Sequence, residues 1–474
     1  MSAGHYDAII IGSGQSGTPL ASAFAAAGRK TAIIDRRHIG GTCVNEGCTP
    51  TKTMIASGRA AYVSHRGDVY GVRTSRDATV DLEKVRQRKR DIVDSWSKGG
   101  ETRLIKAGVD VIKGEARFIG PKEIEVRMVE GGKTRLTAET VFINTGERPA
   151  KPKIPGLENV AAQRILDSTS VMELGEVPSH LIVVGGGYIG LEFSQLFRRL
   201  GAQVTIVQRA KQLVPREDED VAKAMLEILQ EDGIAVHLSS TIESVSRADS
   251  GLNITITTDL RGTIKKTGSH LLLAAGRVPN TDMLNLSTAG VELTSSGHII
   301  VDDLLRTNIP GVYALGDVHG GPAFTHISYD DFRVIRANLI PTSVPSTAPK
   351  ITSTKASPSR NFVPYVVYTD PQLGHIGLHA KDTINRKTRT ATMPMSFVAR
   401  AIEMEETRGL MKATVDAETG EILGFTCLGI EGGEIMAVVQ AAMLGGLKWW
   451  DLEATVWAHP SLAESLNNLW GYLE

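Results

Sequence analysis

Tyr6–Gly17 reads YDAIIIGSGQSG, an apolar run closed by Gly12, Gly14 and Gly17. The run has the composition of a buried strand, and the glycines stand in the G-x-G-x-x-G spacing. A small-residue segment of helical character follows, ASAFAAAG at Ala21–Gly28, and then TAIID at Thr31–Asp35. Strand, glycine turn, helix and strand together make a βαβ unit. Such a turn lets the backbone approach a pyrophosphate, and the helix behind it presents unpaired N–H groups. Asp35 ends the second strand, where an acid can hold ribose hydroxyls.

The pattern returns once. LIVVGGGYIG at Leu181–Gly190 is followed by LEFSQLFRRLG and then by VTIVQR, with glycines at Gly185, Gly187 and Gly190. All three stand at one constant offset from their counterparts in the first unit, and Gln208 stands at that same offset from Asp35. One glycine triplet is a weak signal, because any glycine-rich turn can match it. Two complete units in register predict two Rossmann-like dinucleotide sites in an α/β protein. The residues at the acid position differ. Asp35 suits an unphosphorylated ribose, as on FAD. Gln208 is followed by Arg209, with Lys211 and Arg216 nearby. An arginine there can pair with a 2′-phosphate, which favours NADP over NAD, although NAD stays open. The plain alternative is a set of solvated loop charges.

Composition bounds the rest. The 474 residues exceed one core and suggest about three domains at roughly 150 residues each. A net charge of −1 lacks the basic bias of a nucleic-acid binder. Apolar runs such as HLLLAAG at His270–Gly276 are too short for a membrane span. The start, MSAGHYDAIII, shows neither a basic n-region nor a cleavable apolar core, so a cytoplasmic location is expected. Three cysteines cannot be a secreted disulfide framework.

Two of those three lie in GGTCVNEGCTPTK, Gly40–Lys52, as Cys43 and Cys48. In one relaxed helix the i, i+5 spacing rises about 7.5 Å, beyond the roughly 4.4–6.8 Å between the Cα atoms of a disulfide. A bridge therefore needs a distorted chain between them. Gly47 and the Gly40-Gly41 pair make that feasible, and a strained bridge is easily reduced. Two other readings stand beside it. Metal ligation lacks a second Cys/His pair at matching spacing. Inert core thiols fit poorly in a polar Thr/Asn/Glu/Gly segment. Cys427, in the apolar ILGFTCLGI, reads as a core residue.

At this point the chain resembles the flavin-dependent pyridine nucleotide–disulfide oxidoreductases, the family of glutathione reductase, dihydrolipoamide dehydrogenase and mercuric reductase. GGTCVNEGCTPTK matches the family's redox-disulfide motif, and the resemblance covers nearly the whole chain. It implies an enzyme that passes electrons from NAD(P)H through FAD and a Cys43–Cys48 redox disulfide to an acceptor. Cys48 would be the thiolate beside the flavin, and Cys43 the interchange thiol that attacks substrate. Gly41 and Thr42 fall within the FAD-binding stretch. Lys52 and Glu192 match the family's ion pair near the flavin, and Tyr188 the tyrosine that covers the nicotinamide pocket. Gly146 in INTGERP (Ile143–Pro149) and Gly276 in AAGRVPN (Ala274–Asn280) mark the two crossings between domains. Asp317, in YALGDV, would hold the ribityl chain.

AHPSLAES, Ala458–Ser465, carries the remaining chemistry. A lone His-Pro is commonly a turn with proline opening the next helix, here Pro460. Glu464 follows His459 closely enough to orient an imidazole. The family pattern is H-P-[TS]-x-x-E, which implies that His459, supplied by a partner subunit, is the acid–base for the interchange thiol. Thiol–disulfide exchange needs such a group, because the leaving thiol must be protonated. The active unit is thus expected to be a homodimer. His319, His326, His375 and His379 show no trustworthy ligand spacing.

The expected architecture has an FAD domain at 1–149 completed by 281–340, with an NAD(P) domain at 150–280 inserted between. Residues 341–360, rich in Ser, Thr and Pro, read as a loop or linker. A C-terminal α+β dimerisation domain is expected at 361–474. The acceptor is a small disulfide or a metal ion. Against the mercuric branch, NNLWGYLE at the C-terminus has no vicinal cysteine pair, and no CxxC domain precedes the first βαβ unit. Lipoamide fits less well, since its dehydrogenases usually place Glu where Gln208 stands and prefer NAD. A flavin-disulfide redox sensor is the non-enzymatic alternative. It would need neither Lys52 and Glu192 nor His459 and Glu464.

Overall fold

A computed structural model describes residues 4–73, 79–249, 251–259, 262–340 and 362–474. The expected linker, 341–360, and residue 361 lie outside the described residues. The chain forms two compact units. The first comprises Met1–Thr51, Gln87–Ala150 and Arg277–Asn361; the second comprises Lys52–Arg86, Lys151–Gly276 and Phe362–Glu474.

In the first unit, strand β1 (Gly4–Ile11), helix α1 (Gly17–Ala26) and strand β2 (Thr31–Asp35) realise the leading βαβ motif. β1 lies between β2 and the strand Lys133–Ile143, parallel to both, and Val312–Ala314 extends the parallel sheet beyond the latter. Alternation along β1 buries both faces. Ile9 and Ile11 pack with Ala32, Ile34 and Phe118, while Ala8 and Ile10 pack with Leu20 and Phe24 of α1. A parallel strand covered on both sides needs such an unbroken apolar run. Each fully buried Ile or Phe contributes about 1.5–3 kcal/mol of transfer free energy. Asp110–Gly120, Glu123–Met128 and Lys133–Ile143 add an antiparallel meander.

The second unit repeats the plan. His180–Val184 runs parallel to Gln203–Val207 on one side and His270–Leu273 on the other, and Ala235–His237 and Ile165–Leu166 complete a five-stranded sheet. The helix Tyr188–Arg199 buries Gly190 through Phe197. The same unit holds a separate five-stranded antiparallel sheet formed by strands between Tyr365 and Gly429. Its core includes Phe425 and Cys427, which face Ile435, Met436 and Val439 of the helix Gly432–Leu444. Some apolar side chains stay outside that core: Leu444, Trp450 and, at 97% exposure, Val456. Among the described residues no helix is long and apolar enough to cross a membrane.

Candidate active site

Both glycine turns close in the same way. A Cβ on Gly17 would lie 2.3 Å from the Gly12 carbonyl oxygen, and one on Gly190 would lie 2.0 Å from that of Gly185. The third glycine of each triplet is therefore fixed by the close approach of the helix to the turn. The residue at the end of the second strand then reaches back to the turn. Asp35 Oδ2 accepts from the Ser13 N–H at 3.0 Å and the Ser13 hydroxyl at 2.5 Å, and Gln208 Oε1 accepts from the Gly186 N–H at 3.1 Å. Ser13 and Gly186 hold equivalent positions, each directly after the first glycine of its triplet. The duplication thus extends to single hydrogen bonds.

The first unit fits FAD. Among the described residues Asp35 Oδ1 accepts only from the Arg37 N–H, at 2.9 Å, and keeps room for a ribose hydroxyl. Asn144 accepts from the Gly17 N–H and donates to the Leu315 carbonyl, joining the head of α1 to the strand that leads to Asp317. Asp317 makes no side-chain hydrogen bond among the described residues. Its carboxyl is pushed up to about 6, by burial first and by the Glu147 carboxylate second. A hydroxyl donor is what this group lacks, and a ribityl chain would supply one. Gly41 stands with φ +62° where a Cβ would come 2.7 Å from Gly14 Cα, so the loop bearing Thr42 packs directly on the glycine turn. Gly146 has open space at its Cβ position.

The cysteines lie on either side of a helix break. Cys43 is in α2 (Gly41–Asn45), and Cys48 is the first residue of α3 (Cys48–His65). Glu46 leaves the helical region at φ −137°, and a Cβ on Gly47 would meet the Thr42 carbonyl at 2.9 Å. The helical path is thus interrupted between the two cysteines, and both are free thiols in this structure. Cys48 is exposed and Cys43 half-buried. Thr325 Oγ1 lies 3.4 Å from Cys48 Sγ, and the start of α3 favours negative charge on that sulfur.

One turn further along α3, Lys52 Nζ donates to Glu192 Oε2 at 2.7 Å. Glu192 is buried, and its other oxygen accepts from the Tyr368 N–H at 2.9 Å, so both ends of the carboxylate are engaged. The nucleotide turn of the second unit carries an opening of its own. A Cβ on Gly187 would meet nothing within 4 Å, which leaves room for the close approach of a pyrophosphate. Arg209, Lys211 and Arg216 are exposed, and none forms an ion pair among the described residues. Gly276, with φ +126°, follows the strand His270–Leu273.

Tyr188, the first residue of its helix, stacks on Tyr365 with ring centroids 5.4 Å apart, and burial pushes its hydroxyl up to about 12. His459 Nδ1 lies 3.0 and 2.9 Å from the two oxygens of Glu464, and the imidazole is 69% exposed. Pro460 does not open a helix, contrary to the common role of such a proline. The His459–Pro460 peptide is cis, and the next helix starts at Ser465. Cys427 is fully buried, and desolvation pushes its thiol up to about 12.

Sequence reasoning missed four groups. Asn144, Thr325 and Tyr368 are single polar residues whose partners come from distant segments. The fourth is a buried cluster of Glu217, His375 and His379. The two histidines lie near each other in the chain, but Glu217 stands far from them, so no local spacing announces it.

The model of the pyridine nucleotide-disulphide oxidoreductases matches residues 6–331, and that of their dimerisation domain matches residues 363–469. The chain is 33% identical to a probable pyridine nucleotide-disulfide oxidoreductase, RclA, of Escherichia coli (strain K12), over 99% of both chains. It is also 33% identical to a mercuric reductase of Bacillus cereus, over 97% of this chain and 70% of that one. Among solved structures it is similar to the Cu(II) complex of the HOCl-induced flavoprotein disulfide reductase RclA from Escherichia coli, with a TM-score of 0.87, 33% identity and 99% of both chains covered. The chain belongs to the pyridine nucleotide-disulphide oxidoreductases, as an FAD-dependent enzyme that draws its electrons from NAD(P)H.

Proposed function

We propose that this enzyme reduces a small disulfide at the expense of NADPH, through Cys43 and Cys48. The observation that carries the reading is the pair of cysteines at a helix break, with Cys48 at the head of α3 beside Thr325. Bound FAD would supply the two-electron link between NADPH and the cysteine pair. The chain's own residues would do the rest. With both cysteines reduced, the Cys43 thiolate attacks one sulfur of the acceptor, forming a mixed disulfide and expelling the first product thiol. Cys48 then attacks Cys43 Sγ, which releases the second thiol and leaves the Cys43–Cys48 disulfide. His459, held by Glu464 through Nδ1, is left with Nε2 to protonate each leaving thiolate. Its exposure suits service in a partner subunit's site. Lys52 and Glu192 would fix a charge next to the flavin-binding head of α3. Gln208 in place of an acid, with exposed basic side chains at Arg209, Lys211 and Arg216, supports NADPH over NADH. A dithiol that must stay reducible supports a cytoplasmic setting.

A metal ion is the second reading. It is favoured by the likeness to a Cu(II) complex and to a mercuric reductase. Anaerobic NADPH oxidation with glutathione disulfide, lipoamide, other small disulfides, Hg(II) and Cu(II) separates the two. Rapid turnover of one disulfide is expected. Turnover with a metal ion alone would transfer the protein to the metal-reductase branch.

A further inference from the structure

Glu217 sits at the junction of the nucleotide turn and the C-terminal antiparallel sheet. It follows Arg216 in the segment that leads from the strand Gln203–Val207 to the helix Glu219–Glu231. Its backbone is held toward the turn, because Gln212 Nε2 donates to its carbonyl and Gln208 Nε2 donates to Gln212. Its side chain is buried. Oε1 accepts from the Tyr365 hydroxyl at 2.5 Å, and Tyr365 is the ring on which Tyr188 stacks. Oε2 has no hydrogen-bond partner among the described residues and lies 4.0 Å from His379 Nδ1, which also has none.

The three ligand-type residues suggest a metal centre at first sight, but His375 cannot serve. Its Nδ1 is bonded to the Thr426 hydroxyl at 2.8 Å and its Nε2 to the Gly377 carbonyl at 3.1 Å. Its ring stacks on that of His379 at 3.9 Å and 11°, so the two sets of in-plane lone pairs run parallel and cannot meet at one ion. The cluster has another use. A half-satisfied buried carboxyl is costly to keep, and its one engaged oxygen is bonded to the ring that positions the first residue of the nucleotide helix.

We propose that Glu217 is a positioning residue for the nicotinamide cofactor: acting through Tyr365 it holds Tyr188 in its stacked pose, and the grip tightens when Glu217 is ionised. This rests on the reading of Gly185–Gly190 as the NADPH turn. The groups that face Glu217 are Arg216 and Asp218 on its own segment, Tyr188 from the nucleotide helix, and Tyr365, His375, His379, Lys381 and Lys412 from the C-terminal part. Lys412 is engaged by Asp218 and Asp220, and burial lowers both histidines, His375 to about 3. The Lys381 ammonium favours the ionised form of Glu217, but burial outweighs it. Desolvation raises it to about 7, so its proton is exchanged in the working range. Above that pH the Tyr365 bond becomes charge-assisted and roughly twice as strong. On this proposal the cofactor displaces Tyr188 from Tyr365 as it binds, so its binding should then weaken.

The test is equilibrium binding of NADP⁺ to the FAD-loaded oxidised enzyme by calorimetry at pH 6 and pH 8, for the wild type, Glu217→Gln and Tyr365→Phe. Each variant is compared with the wild type at the same pH, which cancels titration of the cofactor's own phosphate. The expected wild-type to variant ratio of Kd rises about three- to fivefold from pH 6 to pH 8. Melting temperatures are measured alongside. Variants with a lowered melting temperature but a flat Kd ratio would show a merely structural bond and overturn the proposal. If one variant fails to fold, the other decides. Failure of the wild type to bind NADP⁺ at all would instead refute the assignment of the nucleotide turn.

Discussion

A half-buried carboxyl without a hydrogen-bond donor among the described residues opposes folding once it ionises, and Asp317 is such a group. Its folded value, about 6, lies above the ordinary carboxylate range, so the folded apoprotein holds this proton more tightly than the unfolded chain does. Stability of the FAD-free protein should therefore decline as pH rises from about 4 to about 6 and stay low above that, by up to about 3 kcal/mol from this residue. Asp317→Asn removes the penalty, and it replaces a chargeable acceptor with a weaker amide oxygen beside an NH2 donor. The variant should melt higher than wild type as apoprotein at pH 8, yet lose flavin absorbance on gel filtration. A variant that melts lower and keeps its flavin would contradict this account of Asp317.

The two βαβ elements allow a contrast between glycines that fold the turn and glycines that leave room for a ligand. Gly190→Ala drives a methyl into the Gly185 carbonyl at 2.0 Å and should destabilise the second unit by several kcal/mol. Gly187→Ala meets no atom within 4 Å. It should leave the melting temperature nearly unchanged and raise the KM for NADPH about tenfold or more. Equal melting losses in both variants would remove the distinction. These turns are legible in the sequence because strand, glycine spacing and helix are local patterns. The break between α2 and α3 is legible as a requirement, from the i, i+5 spacing of Cys43 and Cys48. Thr325 beside Cys48, Tyr368 beside Glu192, and Glu217 beside His379 are not. Each is an ordinary polar residue until the fold brings a segment from far along the chain against it, and no periodicity records that meeting.

At the scale of the whole molecule, the exposed His459 predicts that a complete site is shared between chains. Cys48→Ser and His459→Ala should each give an inactive dimer. Mixed after reversible dissociation, they should recover roughly a quarter of wild-type disulfide reduction, since half of the dimers are hybrids and each hybrid has one intact site. No recovery would mean that His459 acts within its own chain. The exposed apolar side chains of the C-terminal part have a consequence before any catalysis begins. A chain newly released from the ribosome carries Val456 almost fully bare, with Leu444 and Trp450 also unshielded. If the dimer covers them, how long they stay bare depends on how soon a second copy is met. At low synthesis rates the single chain is a candidate for chaperones, or for sticking to the wrong neighbour, and the yield of working enzyme should depend on expression level more steeply than in direct proportion.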